Sequence, residues 1–232
     1  MKPSLLIADF TGVYEEEGFL QKLQERGAPY RLVGLGDIEG TTCYCDPDAE
    51  AEISRRLVPE PAERMRWIDS GDYHYVTKIL AGFQQNPFVL VLMDNHPDNQ
   101  DPAFEGVLSC GSWVKEMQEG NPWVRDVVTI GPEGCENEIP QEWLERRRGE
   151  RVYVSLDKDI MDKAYARTDW TQGGHTLEDV KKELGKLAER MEIVAVDICG
   201  ELAPSKGATP EDLRINKETN IELYHCLTNL LK

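Results

Sequence analysis

No run of apolar residues in this 232-residue chain approaches the roughly 18 residues that a membrane-spanning helix needs. The early apolar run, Leu5-Leu6-Ile7-Ala8, is too short for a signal peptide and is typical of a β-strand. We therefore expect a cytoplasmic protein with no membrane partner. Repeats, low-complexity tracts and linkers rich in Pro, Gly or Ser are also missing, so the length predicts a single domain over residues 1–232.

Basic residues are scarce, because 26 Lys and Arg stand against 43 Asp and Glu, which gives a formal net charge of −17. Nucleic-acid affinity comes largely from Lys and Arg at phosphates, so this balance argues against a nucleic-acid partner. The densest basic run, Arg146-Arg147-Arg148, lies among glutamates and predicts a solvated helix end. An acidic surface favours a small, cationic substrate. The sequence leaves the formation of a homo-oligomer open.

The cysteines show no CxxC pair and no spacing typical of a small disulfide-bonded scaffold. Cys43-x-Cys45 would be half of a zinc site, but a second Cys or His pair at matching spacing is missing. We therefore expect free, reduced thiols. The six cysteines are Cys43, Cys45, Cys110, Cys135, Cys199 and Cys226.

Short apolar runs alternate with amphipathic stretches, which predicts an α/β fold with a parallel sheet covered on both faces. Phe88–Met93 is apolar at every position, as in a strand buried on both sides. Thr176 and Asp179 are predicted to cap a helix. The predicted strands are Ser4–Asp9, Tyr30–Leu35, Phe88–Asp94, Asp126–Ile130, Val152–Asp157 and Ile193–Ile198. The predicted helices are Glu15–Glu25, Tyr73–Phe83, Gln141–Arg148, Leu177–Met191 and Glu218–Leu231.

Two predicted strands end in clustered acids, at the sheet edge where open parallel sheets bind ligands. Phe88–Met93 runs into Asp94-Asn95-His96-Pro97-Asp98, and Val152–Leu156 runs into Asp157-Lys158-Asp159. Side chains at i, i+2 and i+4 of an extended segment can converge. Buried carboxylates without partners are costly to desolvate, so we expect cations among them. Two divalent ions would balance the four carboxylates, with His74 completing the site.

The predicted ligand set is rich in oxygen and imidazole and contains no thiolate, which favours Mn²⁺ over Zn²⁺. Two ions about 3.5–4 Å apart would supply a hydroxide nucleophile near neutral pH. Taken alone, Asp157-x-Asp159 is often a turn or a helix cap, and a single His74 is equally a core histidine. The occurrence of all these groups in one order favours a dinuclear metal site.

These residues resemble the motifs of the arginase–agmatinase (ureohydrolase) superfamily. Its motifs run Gly-Asp-His, Asp-x-His-x-Asp, Ser-x-Asp-x-Asp and a Thr-rich loop ending in Gly-Gly. Here the matching segments are Gly71–His74, Asp94–Asp98, Ser155–Asp159 and Thr168–Gly174. The resemblance, which covers residues 71 to 204, implies a three-layer α/β/α fold with a mainly parallel sheet. It also implies hydrolysis of a linear C–N bond in a guanidino, amidino or amide compound by a metal-bridging hydroxide.

The resemblance assigns the ligands of two manganese ions per chain, and Asp94 and Asp157 would bridge the two ions. One ion would bind His74, Asp94, Asp98 and Asp157. The other would bind His96, Asp94, Asp157 and Asp159.

The sequence departs from the family around this site. The family has a proton-shuttling histidine before a glycine, where this chain has Ser109-Cys110-Gly111. Cys110 is therefore either a proton-transfer group or a core cysteine, and His175 is a second candidate acid or base. For substrate binding, Glu201 and Asp169 would hold a cationic group. Other candidates are Asn99, loosely matched to a family residue, and Asp197, expected to be structural.

Three other functions fit parts of the pattern. A non-catalytic metal-dependent binding or regulatory protein would explain the loss of the family histidine at Cys110. A two-metal phosphoesterase would need cationic phosphate clamps, and only Lys158 and Arg167 lie close in sequence. A mononuclear zinc deacetylase would need a paired-histidine segment that the sequence lacks.

Overall fold

The computed structural model of the chain describes residues 4–231. The strands are β1 (Leu5–Asp9), β2 (Tyr30–Gly34), β3 (Tyr44–Cys45), β4 (Met65–Ser70), β5 (Phe88–Met93), β6 (Leu108–Ser109), β7 (Val124–Ile130), β8 (Arg151–Asp157) and β9 (Glu192–Glu201). The α-helices are α1 (Val13–Glu16), α2 (Phe19–Glu25), α3 (Pro47–Arg56), α4 (Val76–Ala81), α5 (Trp113–Gly120), α6 (Gln141–Arg146), α7 (Leu177–Arg190) and α8 (Pro210–Leu230). Short 3₁₀ turns follow β4, β8 and β9 at Gly71–Tyr73, Lys158–Ile160 and Pro204–Lys206.

Over residues 4–231, seven strands form one sheet in the order β2-β1-β4-β9-β8-β5-β7. Every neighbouring pair in this sheet is parallel. The two short strands β3 and β6 pair with each other in a separate antiparallel ladder. Because β4, β9, β8 and β5 are neighbours in the sheet, the loops at their carboxyl ends meet at one edge.

Apolar side chains cover both faces of the sheet. Helices α1, α2, α6, α7 and α8 pack on one face, and α3, α4 and α5 pack on the other. Strand β5 contributes to both cores, because Val89 and Val91 face the first and Leu90 and Leu92 face the second. The expected three-layer α/β/α fold with a parallel sheet is therefore confirmed. No helix in the described part of the chain is long and apolar enough to cross a membrane.

Helix α7 begins as predicted, with a capping box between Thr176 and Asp179. Helix α8 begins well before the predicted Glu218, because Thr209 forms a second capping box with Asp212 and Pro210 opens the first turn. The predicted helix Glu15–Glu25 is wrong as one element. It is divided into α1 and α2 at Gly18, whose φ of 80° is left-handed.

The central strand β4 was missed by the sequence prediction because Arg66 and Asp69 interrupt its apolar pattern. In the structure both residues are buried, and each forms hydrogen bonds with residues far away in the sequence. Arg66 donates to the Tyr153 hydroxyl at 2.6 Å, and Asp69 accepts from the backbone of Phe10 at 2.7 Å. Helices α3 and α5 were also missed. The predicted helix Tyr73–Phe83 begins instead as the 3₁₀ turn Gly71–Tyr73 and continues as α4.

Candidate metal centre

His74 meets the carboxylates that follow β5 and β8. It ends the 3₁₀ turn Gly71–Tyr73, and its Nδ1 lies 3.2 Å from Asp94 Oδ2 and 3.0 Å from Asp98 Oδ2. The same nitrogen lies 3.6 Å from Asp157 Oδ2. All four side chains are buried, so the three acids and the imidazole share a site from which water is largely excluded.

A second set of carboxylates lies around His96, beside the set that contacts His74. Its Nδ1 lies 2.8 Å from Asp159 Oδ2 and 3.5 Å from Asp94 Oδ1. Asp94 thus directs one carboxylate oxygen toward each histidine. Two sets of ligand atoms lie within 4.8 Å of one another, namely His74, Asp94, Asp98 and Asp94, His96, Asp159. We call the following six residues the acidic site: His74, Asp94, His96, Asp98, Asp157 and Asp159.

Hydrogen bonds on the far edge of each ring fix the orientation of the two imidazoles. His74 Nε2 lies 2.8 Å from Ser155 Oγ, and His96 Nε2 lies 2.9 Å from Thr171 Oγ1. Each histidine therefore directs Nδ1 into the site. Such outer partners set the ring orientation of metal-binding histidines.

Backbone amides and an indole position the carboxylates. Asp159 N–H donates to Asp157 Oδ1 at 2.8 Å, and Trp113 Nε1–H donates to Asp98 Oδ2 at 2.6 Å. Asp98 has a φ of 45°, a left-handed conformation that few non-glycine residues adopt and that aspartate tolerates better than most. Gly200 packs so closely that a Cβ there would lie 2.2 Å from Asp157 Oδ1.

Five of the six groups in the acidic site hold protons more tightly than usual in the metal-free chain. Asp94 is the exception, because its contacts with His74 and His96 outweigh its burial and lower its pKa to about 2. Burial, followed by the charge of Asp94, raises the pKa of Asp157 to about 7. Burial and the Asp94 charge also raise the pKa of Asp98 to about 6. Hydrogen bonds to Asp159 and Asp94 raise the pKa of His96 to about 10. Burial alone would lower the pKa of His74, but its contacts with Asp94 and Asp98 raise it well above the ordinary value.

The acidic site has the donor chemistry of a divalent metal site. Asp94 Oδ2 is buried and accepts no hydrogen bond from any residue between 4 and 231, although His74 Nδ1 is near. A buried carboxylate oxygen without a donor is costly unless a cation lies beside it. Four carboxylates and two imidazoles form an oxygen-rich set of the kind that Mn²⁺ prefers. The residues present therefore fit a pair of divalent ions.

A cavity of about 300 Å³ opens onto the acidic site. Trp170 lies at one side, its ring 5.8 Å from that of His96 and its Nε1–H donating to Asp72. Besides the site's own residues, the lining is Cys43, Tyr44, Gly71, Gln100, Asp101, Ala103, Ser109, Cys110, Gly111 and Trp170. Among the described residues, no Lys or Arg lines this cavity.

Of the other predicted site residues, Cys110 lines the cavity and His175, Glu201, Asp169 and Asn99 do not. His175 Nε2 lies 2.9 Å from the Asn137 carbonyl oxygen and borders a separate surface cavity. The expected position of His175 at the mouth is therefore corrected, because the bridge between Met161 and His175 turns it away.

Glu201 and Asp169 have protein partners in place of an open cavity. Glu201 is fully buried, ion-paired with Lys158 and hydrogen-bonded to Asn220. Asp169 accepts the Ala203 backbone N–H at 3.0 Å. The expected substrate-facing orientation of Glu201 is corrected for this reason. Asn99 does not line the cavity, whereas the next residue, Gln100, does.

Sequence reasoning missed three residues that shape the site. Trp113 and Thr171 are partners of proposed ligands, and Cys43, the residue before β3, reaches the cavity. Thr171 was recognised only as part of the Thr-rich loop. Trp113 carries no local signal, and the sequence marked Cys43 only as half of a possible zinc site, because the fold alone brings their segments to the acidic site.

Comparison with known proteins identifies a relative by sequence and solved structures with a similar fold. The chain is 31% identical over 210 residues to an uncharacterized protein of Thermotoga maritima, covering 87% of this chain and 81% of that protein. It superposes on the arginase of Bacillus caldovelox with a TM-score of 0.64 at 15% identity, covering 100% of this chain and 98% of that one. Proclavaminate amidino hydrolase of Streptomyces clavuligerus gives a TM-score of 0.65 at 17% identity, covering 100% and 93%. No protein-family profile matches the chain.

Proposed function

This chain belongs to the same family as the Thermotoga maritima protein and has the ureohydrolase fold, and we propose that it is a dinuclear manganese hydrolase. Its reaction would be the hydrolysis of a linear C–N bond in a small guanidino, amidino or amide compound. The solved structures of this fold include an arginase and an amidino hydrolase, which supports this reaction class for the present chain.

The position of Asp94 between His74 and His96 is the observation that carries the proposal. Its two oxygens lie 3.2 Å from one imidazole and 3.5 Å from the other. One ion would be held by His74, Asp94, Asp98 and Asp157, and the second by His96, Asp94, Asp157 and Asp159. When bound, two such ions lower the pKa of water so that hydroxide is available near neutral pH, and they polarise the bond to be cleaved.

The chain's own residues would orient and enclose the substrate. Trp170 and Tyr44 offer aromatic surface at the cavity wall, and Gln100 offers an amide. Cys110, one of two cysteines that line the cavity, takes the place of the family histidine in the sequence, and it would donate a proton from Sγ to the leaving nitrogen. A contact with Cys43, together with burial, raises the pKa of Cys110, so this thiol is protonated near neutral pH and would release its proton only as negative charge develops on the leaving nitrogen.

The charge of the cavity restricts the substrate class. Apart from the proposed metal ions, the described lining contains carboxylates but no Lys or Arg, so it offers no cationic side chain to the carboxylate or phosphate of a substrate. We therefore propose a neutral or cationic substrate that fits a cavity of about 300 Å³. The same lining argues against a phosphoesterase.

A substrate panel tests the proposal. Chain loaded with Mn²⁺ is incubated with guanidino, amidino and amide compounds, and the release of urea, ammonia or amine is measured. We expect release from at least one neutral or cationic compound. Asp159→Asn should lower the rate at least about 100-fold, since metal ions supply several kcal/mol to such reactions. His175→Ala is the matched control and should retain turnover, because His175 lies outside the cavity.

The absence of any release across the panel, with two ions bound, would overturn the hydrolase proposal. It would favour the alternative of a metal-dependent binding or regulatory protein. The observation behind that alternative is that a thiol, Cys110, lines the cavity where the family has its proton-shuttling histidine.

A further inference from the structure

Cys43 and Cys110 lie opposite each other at the end of the short ladder formed by β3 and β6. The paired residues of this ladder are Tyr44 with Ser109 and Cys45 with Leu108, so Cys43 and Cys110 are the next pair. The Cys110 N–H donates to the Cys43 carbonyl oxygen at 3.0 Å. Opposed residues of antiparallel strands have Cα atoms about 4.5–5.5 Å apart, within the range of about 4.4–6.8 Å that disulfides require.

The two thiols also meet in the cavity. Cys43 and Cys110 both line the cavity over the acidic site, and both are partly exposed. Cys43 Sγ also donates to Asp72 Oδ1 at 3.2 Å. A small solute that enters the cavity therefore reaches both cysteines, which the backbone hydrogen bond holds side by side.

We propose that Cys43 and Cys110 form a reversible dithiol–disulfide site that is oxidised by a small hydroperoxide entering the cavity. The Cys43 thiolate attacks one peroxide oxygen, the O–O bond breaks, and Cys43 becomes a sulfenic acid as the first water leaves. The Cys110 sulfur then attacks the Cys43 sulfur, the S–S bond forms, the S–O bond breaks and a second water leaves. In total the two thiols lose two electrons and two protons. Hydrogen peroxide accepts these electrons and protons and becomes two water molecules.

The surroundings distinguish the two sulfur atoms. The neighbouring Cys110 thiol, helped by the charge of Lys206, lowers the pKa of Cys43, although burial and Asp72 oppose this. Cys43, the more acidic thiol of the pair, therefore attacks the peroxide, and Cys110 is left to resolve the sulfenic acid. Oxidation would remove the Cys110 proton from the cavity and link β3 to β6 beside the acidic site. Formation of this disulfide does not depend on the proposed hydrolase activity.

Peptide mapping of the whole chain tests this site. The folded protein is treated with stoichiometric hydrogen peroxide, and free thiols are then blocked with N-ethylmaleimide. The masses of the tryptic peptides are measured by mass spectrometry with and without reductant. We expect a reductant-sensitive link between the peptides of residues 32–55 and 79–115, which contain Cys43 and Cys110. Because Cys45 shares the first peptide, fragmentation of the linked pair must place the bond on Cys43.

Three variants sharpen the result. Cys43→Ser and Cys110→Ser should abolish the link, and Cys45→Ser should retain it. Oxidation of the exposed Cys135 shows that the peroxide has reacted. If Cys135 is oxidised and the 32–55/79–115 link is missing from the unmodified chain, the proposal is overturned. The fragmentation result decides the case even where a variant does not fold.

Discussion

Ser155 Oγ lies 2.8 Å from His74 Nε2, on the ring edge opposite the nitrogen that faces Asp94 and Asp98. Ser155 is fully buried on β8, two residues before Asp157. The strand that supplies one proposed ligand therefore also fixes the ring of another. In this chain the serine of the segment Ser155–Asp159 therefore contacts one proposed ligand directly.

Removing this hydroxyl should weaken metal binding without removing a ligand. We expect Ser155→Ala to lower Mn²⁺ affinity about 10–100-fold, as is typical of outer-shell partners of metal-binding histidines. Isothermal titration calorimetry on purified, metal-free chain measures the change. Ser54→Ala on helix α3 is the control and should bind as the unmodified chain does. Equal affinities for Ser155→Ala and Ser54→Ala would show that Ser155 does not orient His74.

Alanine variants at two glycines, Gly200 and Gly207, distinguish the effect of backbone strain from the effect of a clash with a proposed ligand. Gly200 and Gly207 have φ values of 91° and 87°, so an added Cβ costs about 1–2 kcal/mol at either position. A Cβ at Gly207 meets nothing within 4 Å, whereas one at Gly200 would lie 2.2 Å from Asp157 Oδ1. We expect Gly207→Ala to lose only stability, measured by urea unfolding. Gly200→Ala should lose more stability and also metal affinity.

The outcome that would contradict this account is normal Mn²⁺ binding by folded Gly200→Ala. In that case Asp157 could move without loss of the site, and it would not be a bridging ligand. The Gly207→Ala protein shows how much of any change comes from the left-handed backbone alone.

Metal binding should become tighter as the pH rises. Burial and the Asp94 charge raise the pKa of Asp157 to about 7, and contacts with Asp159 and Asp94 raise that of His96 to about 10. A cation needs the carboxylate and the neutral imidazole, so it must displace these protons. We expect Mn²⁺ affinity to increase from pH 6 to pH 9, with proton release. Calorimetry in buffers of different ionisation enthalpy measures the protons released, and none would contradict this account.

The same pKa shifts predict how the metal-free fold responds to pH. Both groups hold protons more tightly when folded, so the unfolded chain ionises first as the pH rises. The stability linked to Asp157 is lost between its unfolded value of 3.8 and about 7, and that linked to His96 between 6.5 and about 10. The free energy of unfolding of metal-free chain should therefore fall from pH 6 to pH 9. Added Mn²⁺ should stabilise most at the upper end.

The acidic site was predictable because its signals are local. Asp94, His96 and Asp98 follow one apolar strand at alternate positions, and Asp157 and Asp159 follow another. The convergence of these residues needs only the rule that parallel strands present their carboxyl ends at one edge. The fold class was predictable for the same reason, since apolar strands alternate with amphipathic helices.

Long-range partners were not predictable from local patterns. Arg66 looked incompatible with a buried strand, and only the fold supplies its contacts with the Tyr153 hydroxyl and the Glu63 carbonyl. Glu201 looked free to bind a substrate, but Lys158 and Asn220 reach it in the core. Helix α3 is different, because Asp46 before Pro47 is a start signal that the sequence does carry.

The metal content of the chain tests the central claim most directly. After expression with manganese, elemental analysis should give about two ions per unmodified chain, because Asp94 lies between two ligand sets. His96→Ala should retain about one, held by His74, Asp94 and Asp98, and Asp94→Asn should lose most of both. One ion or none in the unmodified chain would contradict the dinuclear site and the hydrolase mechanism that rests on it.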